Sequence, residues 1–150
     1  MIKKESIDKF LSAKNIAVVG VSRNNKKFGF SAYSNLKSKG FNVFAVNPNT
    51  EKIDGDACYK SLNLIPERID GVLVVLPPEK SNEIVKQAHS LNINNIWLQQ
   101  GAESDEAISF CEGNGMNIIY KQCILMFSEP LSFPHNFHRW INKITNKIPG

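Results

Sequence analysis

The 150 residues carry 42% apolar and 21% charged side chains, ordinary proportions for one globular domain, and a chain of this length buries roughly 70% of its unfolded surface. A formal net charge of +4 with 9% aromatics and no dense lysine or arginine run speaks against a nucleic-acid surface and for a small anionic ligand. Cys58, Cys111 and Cys123 are odd in number, widely separated and free of CxxC spacing, so neither a disulfide framework nor a zinc site is expected.

The stretch MIKKESIDKFLSAK is too charged for a secretory leader, and no apolar run reaches the ~20 residues of a membrane span. A soluble, cytoplasmic protein without membrane contact is expected. Ile7, Phe10 and Leu11 recur at helical spacing after Ser6, a candidate N-cap, and predict a short helix over 5–13 at the sheet edge. Ile16 to Val19 is a continuous, β-branched apolar run, the pattern of a strand buried on both faces. It breaks at Gly20 and passes through Ser22, Arg23, Asn24, Asn25, Lys26 and Lys27 to Gly29. A strand, a glycine turn, a basic loop and a helix start make the layout of a phosphate-binding crossover. Unpaired N–H groups and the local dipole favour an anion at a helix start. An ordinary βα loop with solvated lysines is the alternative reading.

Phe30, Tyr33 and Leu36 predict a helix over 30–39, closed by Lys37, Lys39 and Gly40. A second strand over 41–46 stops at Asn47-Pro48-Asn49, since proline cannot continue a central ladder. Residues 50–65 read as loop with a turn at Asp54-Gly55, and Pro66 closes a brief helical turn. The run GVLVVL over 71–76 is a third strand, ended by Pro77-Pro78. Ile84, Val85, Ala88 and Leu91 mark an amphipathic helix over 81–91. A fourth strand over 95–98 leads into Gln99-Gln100-Gly101, and Ser104-Asp105-Glu106 opens a helix over 104–112. Gly113 and Gly115 turn the chain into a fifth strand over 116–120. The tail after Cys123 holds Phe127, Phe133, Phe137, Trp140, Ile141, Ile144 and Ile148, read as a loop and final helix whose aromatics pack back on the domain.

Five apolar strands alternating with helices imply right-handed parallel crossovers. The expected fold is α/β: one doubly wound domain over 1–150, with a mainly parallel five-stranded sheet and helices on both faces. Ligands in such sheets lie beyond the carboxyl ends of the strands, at the topological switch point. An NAD site calls for GxGxxG and an acidic side chain after the second strand. Here Gly20 and Gly29 have eight residues between them and the second strand ends in Asn47, which disfavours NAD. NADP is less excluded, because Lys26, Lys27 or Lys52 could meet an extra phosphate.

The segments VVGVSRNNKKFG, VNPN, CYKSL, VVLPP and IWLQQG, in that order, resemble the stand-alone bacterial CoA-binding proteins. Those domains are similar to the CoA-binding part of the succinyl-CoA synthetase α chain and of ADP-forming acyl-CoA synthetases. The resemblance spans residues 12–123 and implies a Rossmann-like fold that holds the 3′-phospho-ADP portion of coenzyme A or acyl-CoA. It implies that Gly20, Val21, Ser22 and Arg23 lie against the pyrophosphate, with Lys26, Lys27 and Phe28 nearby. Asn47 and Pro48 would line the ribose side, Leu76, Pro77 and Pro78 the adenine edge, and Gln100 and Gly101 the floor. The residue types agree, since a diphosphate plus a 3′-phosphate needs several cations and arginine offers a planar fork. Asn47-Pro48 and Pro77-Pro78 also read as plain strand stops. A cysteine just after the fifth strand is common in the family, and Cys123 matches it. The resemblance would let it face the thiol arm of the ligand.

No GxSxG elbow, P-loop GK[ST] or HExxH occurs. His89 reads as a surface or capping residue, and His135 and His138, three apart, lack a third metal ligand at useful spacing. Glu103, Asp105 and Glu106 read as a helix start. The synthetases carry a phosphorylated histidine in a separate domain, for which this chain has no room. The reading is therefore a non-enzymatic CoA or acyl-CoA binding module with no metal. The alternatives are a nucleotide-binding subunit of an acyl-CoA synthetase-type complex and an NAD(P)(H)-type redox sensor. A homo-oligomer and a synthetase-type partner both stay open.

Overall fold

In the computed structural model, residues 4–127 are described. The carboxyl-terminal segment expected to pack back, including Phe133, Phe137, Trp140, Ile141, Ile144, Ile148 and the histidines at 135 and 138, lies outside the described residues. The apolar runs become β1 (Asn15–Val19), β2 (Asn42–Val46), β5 (Gly71–Val74), β6 (Asn95–Gln99) and β7 (Asn117–Gln122). Two short strands, β3 (Lys52–Ile53) and β4 (Asp56–Tyr59), arise within the stretch expected to be loop. The sheet runs β3-β4-β2-β1-β5-β6-β7. All pairings are parallel except β3 with β4, which is antiparallel. The doubly wound Rossmann-like order is thus present, and a hairpin widens the expected five strands to seven. The switch point falls at β1, whose neighbours β2 and β5 lie on opposite sides.

Strand side chains alternate between the two faces, as a period of two requires. Ile16, Val18, Leu73, Trp97 and Ile119 enter the core shared with α1 (Lys4–Leu11) and α2 (Phe28–Ser38). Ala17, Val19, Val72, Val74, Ile96, Leu98 and Ile118 enter the core shared with α3 (Pro78–Ser90) and α4 (Asp105–Gly113). Trp97 is fully buried between Phe10 and Phe127, at ring distances of 5.3 and 5.5 Å, and its Nε1 donates to the Gln122 carbonyl at 3.0 Å. None of the described helices is long and apolar enough to cross a membrane.

Several boundaries move for identifiable reasons. α1 begins at Lys4, so Ser6 lies inside it rather than capping it, and its carbonyl accepts from Asn117 Nδ2 at 2.9 Å. α3 begins at Pro78, because proline lacks only an N–H that a first helical turn leaves unpaired anyway. Ser104 caps α4 as expected, its Oγ accepting from Ala107 N at 3.0 Å. His89 is not a plain surface residue. It is half-buried between α3 and α4, with its ring edge-on to Phe110 at 5.6 Å. β7 carries one extra residue opposite Trp97–Gln99, where Lys121 takes a φ of 61°, and this bulge carries the strand past its expected end.

The amino edge of the sheet is closed by asparagines that open four strands. Asn42 Nδ2 donates to Asn15 Oδ1 at 2.9 Å, and Asn117 Nδ2 donates to Asn95 Oδ1 at 2.7 Å. Asn15 Nδ2 donates to the Arg68 carbonyl at 2.7 Å, while the Asn15 backbone N–H donates to Asp70 at 3.1 Å. Polar side chains here satisfy one another, so this edge is a clasp.

Asp8 in α1 breaks that pattern. One of its carboxylate oxygens is buried with no hydrogen-bond partner among the described residues. Burial pushes its carboxyl above the ordinary value, with Lys4 opposing and Glu5 reinforcing. The folded state therefore binds this proton more tightly than the unfolded chain, and stability falls as pH rises through the carboxylate range. Asp8→Asn is expected to raise Tm at neutral pH, with the gain vanishing near pH ~3, where the carboxyl is neutral in both states. Paired thermal melts across that range check it, and an unchanged or lower Tm at neutral pH would contradict it.

Candidate ligand-binding cleft at the carboxyl ends of the strands

β1 ends in a turn that only glycine fits. Gly20 has a φ of 106°, its N–H donates to the Val46 carbonyl at 3.0 Å, and a Cβ there would lie 2.0 Å from the Val75 carbonyl oxygen. The residue is wedged between the ends of β2 and β5. Gly29 is held as tightly from the other side, since a Cβ on it would come 2.3 Å from the Gly20 carbonyl oxygen. The two glycines that stand far apart in sequence are in contact, and the intervening residues are gathered into a closed loop. That loop supports itself: Asn24 N–H donates to Ser22 Oγ, Lys26 N–H to Asn24 Oδ1, and Lys27 N–H to the Asn24 carbonyl, each at 3.0 Å.

α2 starts immediately behind this loop, with Lys27 at its N-cap, no side-chain cap and no acidic residue in the first turn. Its first N–H groups therefore keep their positive end towards the loop. Val21 is buried, Ser22 and Phe28 are half-buried, and Arg23, Lys26 and Lys27 are exposed.

Asn47 belongs to the scaffold. Its Nδ2 donates to the Val21 carbonyl at 2.7 Å, its Oδ1 accepts from Asn49 N–H at 2.8 Å, and its backbone N–H donates to the Tyr59 carbonyl at 2.9 Å. It ties the end of β2 to the glycine loop through one side-chain N–H and one oxygen lone pair. Beside it opens a groove of about 500 Å³ lined by Arg23, Pro48, Asn49, Thr50, Glu51, Lys52 and Lys60. Three cations face one carboxylate there. Of the cationic loop residues expected at the site, Arg23 alone is among those lining this groove.

Lys52 and Lys60 come from the β3–β4 hairpin. In the sequence Lys52 suits an extra NADP phosphate, and Lys60 lies within the CYKSL segment without a site role of its own. A signal was present: Asp54 and Gly55, with φ of 50° and 83°, form the two-residue turn with positive φ at both centres that closes tight hairpins.

The remaining expected residues gather on the other side of Gly20. A Cβ on Gly20 would lie 3.2 Å from Leu76 Cδ2, so Leu76 flanks the turn directly. Pro77 and Pro78 are exposed at the start of α3, and Gln100 and Gly101 are exposed after β6. These two loops are joined by Ser81, whose Oγ donates to the Ala102 carbonyl at 2.8 Å. Gln99, rather than Gln100, turns inward, and its Oε1 accepts from Ile124 N–H at 3.0 Å. Pro77, Pro78, Gln100 and Gly101 do not line the cationic groove. They form a second arm of the same carboxyl edge.

Burial raises the Cys58 thiol, partly offset by the Asn47 backbone, and pushes Cys111 up to about 12 with Glu112 adding to it. Cys123 is half-buried just past β7. Among the described residues no three His, Cys, Asp or Glu side chains cluster to hold a metal ion.

Strand order, two-faced packing and a glycine turn at the switch point define a Rossmann-like α/β domain. The family described as CoA binding domain matches residues 14–129, and the chain belongs to it. A conserved hypothetical protein from Pyrococcus furiosus superposes with a TM-score of 0.72 at 38% identity, over 75% of this chain and 97% of that one. A hypothetical protein from Pyrococcus horikoshii OT3 gives 0.76 at 28% identity, over 83% and 88%. The alpha subunit of ADP-forming acetate–CoA ligase II from Pyrococcus furiosus is 27% identical over 129 residues, which are 79% of this chain but 28% of that subunit. The chain therefore spans little more than a quarter of that relative's length.

The glycine contact predicts opposite signs for one substitution at two places. Gly29→Ala must push α2 off the Gly20 turn and is expected to cost about 1–3 kcal/mol, as overpacking does. Gly113→Ala, in open space at the end of α4, is expected to be neutral or stabilising by up to ~1 kcal/mol. Urea unfolding of both variants checks this, and a Gly29→Ala protein as stable as wild type would contradict the contact.

Proposed function

We propose that the protein binds coenzyme A or acyl-CoA through the 3′-phospho-ADP moiety, along the carboxyl edge of its sheet, and leaves the ligand chemically unchanged. The observation that carries this reading is the convergence of Arg23, Lys52 and Lys60 on one groove beside the Gly20 turn, in a member of the CoA binding domain family. In this reading the Gly20–Arg23 turn and the uncapped start of α2 receive the diphosphate. Oriented N–H groups and a guanidinium fork both suit such oxygens. Lys26, Lys27 and Phe28 border that turn. Lys52 and Lys60 reach the phosphate on the ribose, and Pro48 lies beside it. Leu76, Pro77 and Pro78 give an apolar edge for the base, with Gln100 and Gly101 beyond them.

Asn47 stands where a dinucleotide domain needs a carboxylate for the ribose hydroxyls, and its amide bonds Val21 and Asn49. That supports CoA over an NAD(H)-type redox sensor. A second reading is favoured by one relative. Because the chain matches only 28% of an acetate–CoA ligase subunit, it could serve as the CoA-holding part of a synthetase-type assembly. A stable hetero-complex with ligase activity on co-purification would favour that reading over the lone module.

Calorimetric titration with CoA, NADH and ATP tests the proposal. CoA is expected to bind selectively, and Arg23→Ala is expected to weaken it about tenfold or more, the worth of a charge-assisted contact. Affinity should fall as salt rises, since exposed cations are screened. Silence towards CoA, or NADH binding more tightly than CoA, would overturn the proposal.

A further inference from the structure

The groove's cations sit on two separate pieces of chain, and something must fix their spacing. Arg23 belongs to the glycine loop, which is pinned to the start of α2 by the Gly20–Gly29 contact. Lys52 and Lys60 belong to a hairpin whose own ladder has only two residue pairs, Lys52 with Ala57 and Ile53 with Asp56. Its attachment to the main sheet is equally short, Ala45 with Cys58 and Val46 with Tyr59. Ladders of that length do not hold a hairpin at a defined angle by themselves.

Hydrogen bonds from Asn47 N–H to the Tyr59 carbonyl at 2.9 Å and from Cys58 N–H to the Glu51 carbonyl at 2.8 Å extend them, and two side-chain anchors face α2. Ile53 is buried in the core shared with α2. Asp56, cross-strand from Ile53 and on the same face, takes two donors onto one carboxylate oxygen: Tyr33 OH at 2.7 Å and Lys37 Nζ. Tyr33 and Lys37 stand one helical turn apart on α2, so they reach one acceptor together. Tyr33 is itself only 2% exposed, and its ring packs in the core. Its hydroxyl therefore depends on Asp56 in a way that an exposed lysine does not. Lys37 and Tyr33 together hold the Asp56 carboxyl below the usual carboxylate range, so the acceptor stays charged at neutral pH.

We infer that the Tyr33–Lys37–Asp56 clasp is a positioning device for ligand selectivity: by fixing the hairpin to α2, it sets Lys52 and Lys60 against Arg23 at the spacing that distinguishes a nucleotide with a ribose phosphomonoester from one without. The inference rests on the CoA reading given above, and it assigns a role to residues that do not themselves line the groove. α2 is the common base. Its first turn carries the diphosphate loop, and its second and third turns carry the clasp. Weakening the clasp should leave the glycine loop intact and loosen only the hairpin side.

The experiment is paired calorimetry with CoA and dephospho-CoA on wild type, Tyr33→Phe, Asp56→Asn and Lys37→Arg, with circular dichroism to confirm folding. Wild type is expected to prefer CoA by about tenfold, Tyr33→Phe and Asp56→Asn to bring the ratio towards one with dephospho-CoA affinity held within about twofold, and Lys37→Arg to keep the wild-type ratio. A purely structural role would lower Tm and weaken both ligands alike. Folded Tyr33→Phe and Asp56→Asn proteins that keep the wild-type ratio would overturn the inference. If Asp56→Asn does not fold, Tyr33→Phe and the exposed Lys37→Ala decide by the same ratio. A wild-type protein that binds both ligands equally would overturn the clasp's role while leaving CoA binding intact. One that binds neither would overturn the CoA reading itself.

Discussion

Everything at the carboxyl edge depends on the contact between Gly20 and Gly29. A Cβ on either residue would collide with backbone, at Val75 in one case and at Gly20 itself in the other. That closeness lets α2 start directly behind the turn, gathers residues 21–28 into a small self-bonded loop, and lifts Arg23 to the groove. α2 then carries the consequence further along the chain. The helix placed by the glycine contact also holds the hairpin through Tyr33 and Lys37. Two cationic elements distant in sequence thereby share one rigid base.

The two ends of the sheet are built on opposite principles. At the amino edge, asparagines opening β1, β2, β6 and β7 bond to one another and to neighbouring carbonyls. At the carboxyl edge, the scaffold bonds are made by a few residues such as Asn47, Ser22 and Ser81. Arg23, Lys52 and Lys60 are left at the surface. Three cations against one carboxylate thus meet at the edge where an open α/β sheet accommodates its ligands.

The core of this design was legible from residue patterns because strong periodicity marks it. β1, β5 and β6 are continuous apolar runs, and Gly20, Asn47-Pro48 and Pro77-Pro78 punctuate them where the strands end. What escaped has physical causes. β3 and β4 are too short for alternation to register, and the lysines flanking them look like loop residues. Lys60 sits in the CYKSL run with nothing local to mark it, and only the hairpin brings it beside Arg23 at the groove. Asn47 marks a strand end in the sequence, and its amide also ties that end to the glycine loop, which no local pattern announces. The left-handed Lys121 gives no warning either, because the bulge there is set by the pairing of β6 with β7. His89 offered no hint that its ring would lie between two helices.

In the proposed function, one carboxyl-edge cleft built from the glycine loop and the hairpin holds the phosphorylated end of CoA. A crystal structure of the protein grown with CoA tests it most directly. The diphosphate is expected over the Gly20–Arg23 turn at the start of α2, with the ribose phosphate in contact with Lys52 or Lys60. A nucleotide bound at the amino edge, or one whose ribose phosphate points away from the hairpin into solvent, would contradict it.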